Sequence, residues 1–163
     1  MNQEPFFESG YTPPTAFYFG VKFDGSPDMD SSFQEISGLK LPLGTEQVGE
    51  GGNNIYRHEL PSNPTFENLV LKRCLVSNSA LDKWCRSALE EFLFDPKNLQ
   101  ISLLGENGVL LASWIVDKAF PISWELASLN SASNELAIET LVLKYSTFRM
   151  LQSIEDSDNP LFT

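Results

Sequence analysis

Ser37-Gly38-Leu39, then Gly49-Glu50-Gly51-Gly52-Asn53-Asn54, then Leu69-Val70-Leu71-Lys72-Arg73 mark out the stretch from Ser37 to Leu75. Two apolar, strand-like ends flank a middle rich in glycine and asparagine. Those residues tolerate backbone conformations that others avoid, so they suit long, re-aimed loops. The connection is too long for a tight hairpin turn, and long loops in compact domains are functional or disordered. The stretch predicts two strands joined by one reaching loop.

Upstream, Phe17, Phe19, Val21 and Phe23 alternate with Tyr18, Gly20 and Lys22, the pattern of a half-buried strand. Asp24-Gly25-Ser26-Pro27-Asp28 is punctuation. A second strand covers Ser32 to Ile36, where Phe33 and Ile36 are out of step by one; a bulge near Gln34 and Glu35 reconciles them. Leu39, Leu41 and Leu43 alternate with Lys40 and Pro42, and Pro42 places that strand at an edge or near its end. Asn54 to Leu60 alternates weakly and stops at Pro61. Leu69 to Val76 reads as a buried strand with Leu69, Leu71, Arg73 and Leu75 on one face.

Downstream comes one helix, over about 79–94. Leu81, Trp84, Cys85, Ala88, Leu89 and Phe92 form its apolar stripe, Ser79 is its N-cap, and Asp95-Pro96 stops it. Leu99, Ile101 and Leu103 lead into the hairpin connection Gly105-Glu106-Asn107-Gly108 and a return strand from Val109 to Val116. Pro121 breaks the run, after which Ile122, Trp124 and Leu126 alternate. Glu135 to Tyr145 is a long strand with Ala137, Glu139, Leu141, Leu143 and Tyr145 on one face. The fold class expected is mainly β (α+β): a β-barrel or sandwich of two packed antiparallel sheets, one flanking α-helix and the Gly-rich interstrand loop. Residues 1–15 read as an N-terminal arm with three prolines and with Phe6, Phe7 and Tyr11, aromatics that in an arm often dock onto something; residues 16–151 are the strand domain, and 152–163 an acidic tail.

At 163 residues, 42% hydrophobic and 20% charged, the chain is long enough for one domain with its own core. No apolar run is long enough to span a bilayer, and no secretory h-region follows the N-terminus. The net charge of −11 disfavours a general nucleic-acid binder, which needs a basic face, and adsorption to anionic membranes. Cys74 and Cys85 are read as buried free thiols in a reducing compartment, with a disulfide as the other reading.

Chemistry is sparse. His58 is the single histidine, so a hydrolase would rest on it alone, and neither cysteine nor any serine is placed beside it. The Gly49 to Gly52 run lacks the Lys-Ser/Thr that grips phosphate, and no helix follows it. Glu90 and Glu91 are helix neighbours that cannot converge on one bond. No catalytic, cofactor or metal residue is assigned. Glu139 and Arg73, each on an otherwise apolar strand face, are a complementary puzzle: each charge must be paired within the subunit or between subunits.

The ordered set of Phe17 to Phe23, Ser37-Gly38-Leu39, Gly51-Gly52-Asn53, Leu71-Lys72-Arg73, Trp84, Trp114, Ala119-Phe120-Pro121 and Glu139-Thr140-Leu141-Val142-Leu143 resembles the T4-like phage tail tube protein family over about residues 16–147. The resemblance implies a structural subunit with no catalysis and no cofactor. Such subunits form hexameric rings that stack into a hollow tube inside a sheath, reach a baseplate, and conduct protein cargo or DNA without specific binding or membrane attachment of the monomer. It implies assembly in the cytoplasm, then a place in a phage tail or an injection particle. Cys74 stands where the family has glycine, and Pro61-Ser62 where it has Pro-Gly, which leaves open a paralogous ring joining tube to baseplate. Gly49, Glu50, Gly51, Gly52, Asn53, Asn54, Arg73 and Glu139 are the subunit-interface candidates. A monomeric ligand-binding β module is the reading from another class.

Overall fold

The computed structural model describes residues 17–49, 57–105, 108–127 and 136–151. The strands are β1 (Phe17–Phe23), β2 (Ser31–Phe33), β3 (Glu35–Ser37), β4 (Gly44–Gly49), β5 (Arg57–Ser62), β6 (Leu69–Cys74), β7 (Lys97–Gly105), β8 (Leu110–Leu126), β9 (Ile138–Lys144) and β10 (Thr147–Leu151), with helix α1 (Ala80–Leu89) between β6 and β7. All pairings are antiparallel, and the main sheet runs β2-β1-β7-β8-β9-β6-β3 with β10 also on β8.

The two ends of that sheet, β2 and β3, are consecutive in the chain. Gln34 separates them, and its N–H donates to the Lys72 carbonyl across on β6 (2.9 Å). They act as one bulged strand that pairs with β1 on its first half and with β6 on its second, so the sheet curls round and closes. The bulge expected at Gln34 is the corner of the barrel. At 17 residues β8 is the longest strand. It pairs with β7 up to Ala119 and with β9 from Phe120 onward. Lys118, at φ 53°, lies where the strand passes from one half of the barrel to the other.

Alternation explains the core. Val21 and Phe23 of β1, Leu69 and Leu71 of β6, Leu99 and Ile101 of β7, Val116 of β8 and Leu141 and Leu143 of β9 all point inward and are buried. Each such side chain contributes about 1.5–3 kcal/mol through removal from water. Helix α1 lays Leu81, Trp84, Cys85 and Ala88 on this core, and the Trp84 ring meets Phe23 edge-on at 5.8 Å. Ser79 caps the helix as expected, its hydroxyl accepting from the Asp82 N–H at 3.1 Å.

Four local expectations change. The helix ends at Leu89, well before Asp95-Pro96. Phe92 adopts φ 59°, and the Leu93 N–H turns back to the Ser87 carbonyl (2.9 Å), a left-handed closure of the last turn. Leu89 and Phe92 are therefore exposed rather than part of the stripe. Residues 38–43 form no strand: Gly38 takes φ 90°, and a Cβ there would stand 2.0 Å from the Asn68 carbonyl oxygen, so the chain turns where two backbones touch. Leu75 leaves the buried face because β6 stops at Cys74. Pro121 does not end its strand. It stands at a register shift, beyond the point where β7 has ended, so no carbonyl on that side waits for the missing N–H.

Candidate functional site

Arg73 and Glu139 are register partners on neighbouring strands β6 and β9, and both face the core. They are 5% and 4% exposed and form an ion pair from the Arg73 Nε to the Glu139 Oε1. The remaining polar atoms are satisfied in turn. The two outer guanidinium nitrogens donate to the Ser31 hydroxyl (2.8 Å) and the Ser79 hydroxyl (3.1 Å), and the Trp124 indole N–H donates to the other carboxylate oxygen at 3.0 Å. The guanidinium also lies 5.7 Å from the Phe33 ring centre. One buried pair thus ties together β2, β6, β8, β9 and the cap of α1. The void beside it is about 10 Å³, room for no substrate. A pair so completely bonded specifies the packing of these elements and needs no neighbour to neutralise it.

Cys85 lies on the buried face of α1, next to that pair. Burial, and then the carboxylates of Glu139 and Asp82, push its thiol up to about 12. Such a thiol is inert. Cys74 is half-buried, accepts from Gln34 Nε2 at 3.2 Å, and both cysteines are free thiols. Tyr145, raised by burial and then by Glu67, donates to the Gly38 carbonyl at 3.4 Å. Among the described residues no group of three or more His, Cys, Asp or Glu is placed to hold a metal, and no helix is long and apolar enough to cross a membrane.

Gly49, where the Gly-rich stretch begins, is the last residue of β4, one strand of a two-stranded ribbon. Among the described residues β4 and β5 pair only with each other, and they expose Val48, His58 and Leu60. Gly49, opposite Arg57, is exposed with nothing within 4 Å of where its Cβ would be. Glu50, Gly51, Gly52, Asn53 and Asn54 lie outside the described residues. A lone two-stranded ribbon is marginal in water and carries apolar surface it does not bury. Pro61 fits within β5 because, among the described residues, no third strand borders the ribbon to need the N–H that proline lacks.

Two further features escape sequence reading. The first is a pair of open strand edges. Among the described residues β10 pairs only with β8, and β8 from Phe120 to Leu126 pairs only with β9. The second is an exposed aromatic cluster beside the C-terminus of α1. Phe92, 80% exposed, stacks edge-on with Phe94 (5.0 Å), which meets Phe120 at 5.6 Å. Alternation showed these residues as apolar, but their exposure follows from the left-handed turn at Phe92, which no local pattern announces.

The sequence profile of the T4-like virus tail tube protein gp19 family matches residues 15–149. No match is found among curated proteins. Of solved structures, a chain in the six-fold symmetrised cryo-EM structure of the anti-feeding prophage (AFP) baseplate is 32% identical, with 86% of this chain and 97% of that one covered and a TM-score of 0.72. A chain of the extracellular contractile injection system PVC, in its extended sheath-tube complex, is 24% identical over 86% of this chain and 93% of that one, also at 0.72. Hcp1 from Salmonella typhimurium shares the fold at 12% identity, 82% and 84% coverage and a TM-score of 0.51.

Proposed function

The chain belongs to the T4-like virus tail tube protein gp19 family, and from that premise we propose that it forms hexameric rings stacking into the hollow inner tube of a contractile tail or injection system. It is a structural component of a phage tail or phage-tail-like particle, not an enzyme.

The observation that carries the ring is the pair of unlike open edges, β10 and the Phe120 to Leu126 half of β8. Open edges invite pairing with another chain. When two different surfaces of one subunit meet head to tail, repetition closes a ring if the rotation between copies closes. The ribbon supports stacking: it stands off the barrel with Val48 and Leu60 exposed, ready to be buried against a second copy. On this reading Gly49 and the adjoining 50–54 segment make the contact to the neighbouring subunit or ring, while Arg73 and Glu139 serve the interface indirectly, by fixing the strands that border it. Residues 16–151 are the ring-forming domain, with 1–15 and 152–163 as its arms. The subunits assemble in the cytoplasm and then join a sheath and a baseplate. The net charge of −11 suits a lumen that protein cargo or DNA passes without being held.

A second reading, a paralogous ring joining tube to baseplate, is favoured by one observation. Identity is 32% to the chain from the AFP baseplate structure and 24% to that from the PVC sheath-tube complex.

Sedimentation of the purified protein, with and without residues 49–54, tests the proposal. The intact chain is expected to form rings or stacks, and the shortened chain to remain a folded monomer. Normal tubes from the shortened chain would remove the loop's role. A strict monomer at high concentration that binds a ligand saturably would replace the tube reading with a binding module.

A further inference from the structure

Just beyond the last turn of α1 the chain is both fixed and uncovered. Every residue from Leu89 to Pro96 is exposed, and Leu89, Phe92, Leu93 and Phe94 among them are large and apolar. The segment is held at both ends. The Leu93 N–H bonds back to the Ser87 carbonyl, and the indole of the buried Trp84 donates to the Asp95 carbonyl at 2.8 Å. The Phe92 and Phe94 rings stack on that frame. Phe94 leans on Phe120 of β8, whereas Leu89, Phe92 and Leu93 belong to neither open strand edge.

Phe92 bears two costs at once. Its left-handed backbone, at φ 59°, crowds the Cβ of any L residue, so glycine or asparagine is usual at such a turn. Its ring is also left in water. Glycine would remove both costs and keep the turn. A strained position that presents an aromatic ring to solvent marks a contact surface.

Charge narrows the partner. Glu90, Glu91 and Asp95 flank the cluster, and the C-terminal end of a helix adds partial negative charge. The bases beside them in the chain are engaged, Arg86 with Asp82 and Lys97 with Asp95; Lys144, register partner of Phe120, lies on the far side. The surface is an apolar knob on acidic ground, and its complement is an apolar hollow bordered by lysine or arginine. A second copy fits poorly. It would bring a net charge of −11, with at least six of its eleven bases already in ion pairs. The lumen fits poorly too, because a fixed aromatic knob on every subunit would hold what passes. A different protein, repeated as often as the tube subunit and outside the lumen, matches both conditions.

We propose that this knob, with Phe92 and Leu93 at its centre and Glu90 and Glu91 at its border, is where the sheath grips the tube, through an apolar segment of the sheath protein that carries basic side chains. The inference rests on the tube reading and names the surface by which that tube meets its sheath.

Purified tubes of this chain mixed with the purified sheath protein of the same particle test it, with bound sheath read by co-sedimentation and tubes by electron microscopy. Phe92→Gly is expected to melt at or above the wild-type temperature, to form the same tubes, and to bind sheath at least tenfold more weakly. Glu90→Lys combined with Glu91→Lys is expected to weaken sheath binding likewise. Wild-type sheath binding by Phe92→Gly would overturn the proposal. Folded Phe92→Gly subunits that no longer form tubes would also overturn it, by giving the knob to a second copy. Should Phe92→Gly melt below wild type, the double lysine variant, changed only at exposed positions, decides: sheath bound as tightly as by wild type refutes the contact. A wild-type chain that forms no tubes would refute the tube reading itself, and this inference with it.

Discussion

Arg73 and Glu139 show how a charged residue on an apolar face can hold a fold together. With every polar atom bonded, the pair is a specificity device whose worth appears when half of it is removed. Arg73→Ala leaves a carboxylate buried under α1 and is expected to cost about 3–5 kcal/mol in urea denaturation. Arg73→Met combined with Glu139→Leu is expected to cost clearly less than the sum of the single changes, since no charge is then stranded; additive costs would contradict that view. Cys85 offers a second residue-level test. Its thiol is raised from 9.0 to about 12 in the folded protein. Between those values the unfolded chain has lost a proton that the folded chain keeps, so stability is present below pH 9 and falls as pH rises toward 12. Cys85→Ala is expected to flatten that fall, as read from melting at pH 8 and 10.5. Alkylation at neutral pH is expected to mark Cys74 and to reach Cys85 only as fast as the protein unfolds. The partnership of Arg73 with Glu139 was half legible in the sequence, because two charges on two apolar strand faces must find partners. The Ser31, Ser79 and Trp124 bonds were not, since they depend on how four separate elements meet.

Among the elements, periodic ones were the most legible. β1, β6, β9 and the buried stripe of α1 follow from alternation or helical spacing, because their burial is uniform along one face. What escaped was set by contacts remote in sequence. Gly38 turns the chain because Asn68 is there, and Pro121 sits within β8 because β7 has ended. β10 was missed because only Phe148 of its five residues is buried. The turn at Gly38 carries its own prediction. Gly38→Ala must abandon φ 90° or force a methyl group against the Asn68 oxygen at 2.0 Å, and is expected to destabilise the protein by about 1–3 kcal/mol or more. A melting temperature equal to wild type would show that the approach of the two backbones is not fixed. The ribbon is the opposite case: its strands are exposed on both faces, so its deletion is expected to leave monomer melting nearly unchanged and to act on assembly alone.

At the scale of the whole molecule, the barrel closes on one side through β2 and β3 and, among the described residues, stays open at two unlike edges, while the β4-β5 ribbon leaves apolar residues exposed. On the proposed reading those edges and that ribbon meet neighbouring copies, which fits membership of a tail tube family. The sequence resemblance pointed to that family through short pieces in order, Leu71-Lys72-Arg73 and the Glu139 to Leu143 strand among them. The structure adds why those pieces belong together: Lys72 and Arg73 pair with Thr140 and Glu139. Ring closure needs a subunit neighbour. Electron microscopy of the purified full-length protein, viewed end-on, tests it most directly. The account predicts hollow rings with six-fold symmetry, singly or in stacks; a uniform field of single subunits at high concentration, or closed particles without a lumen, would contradict it.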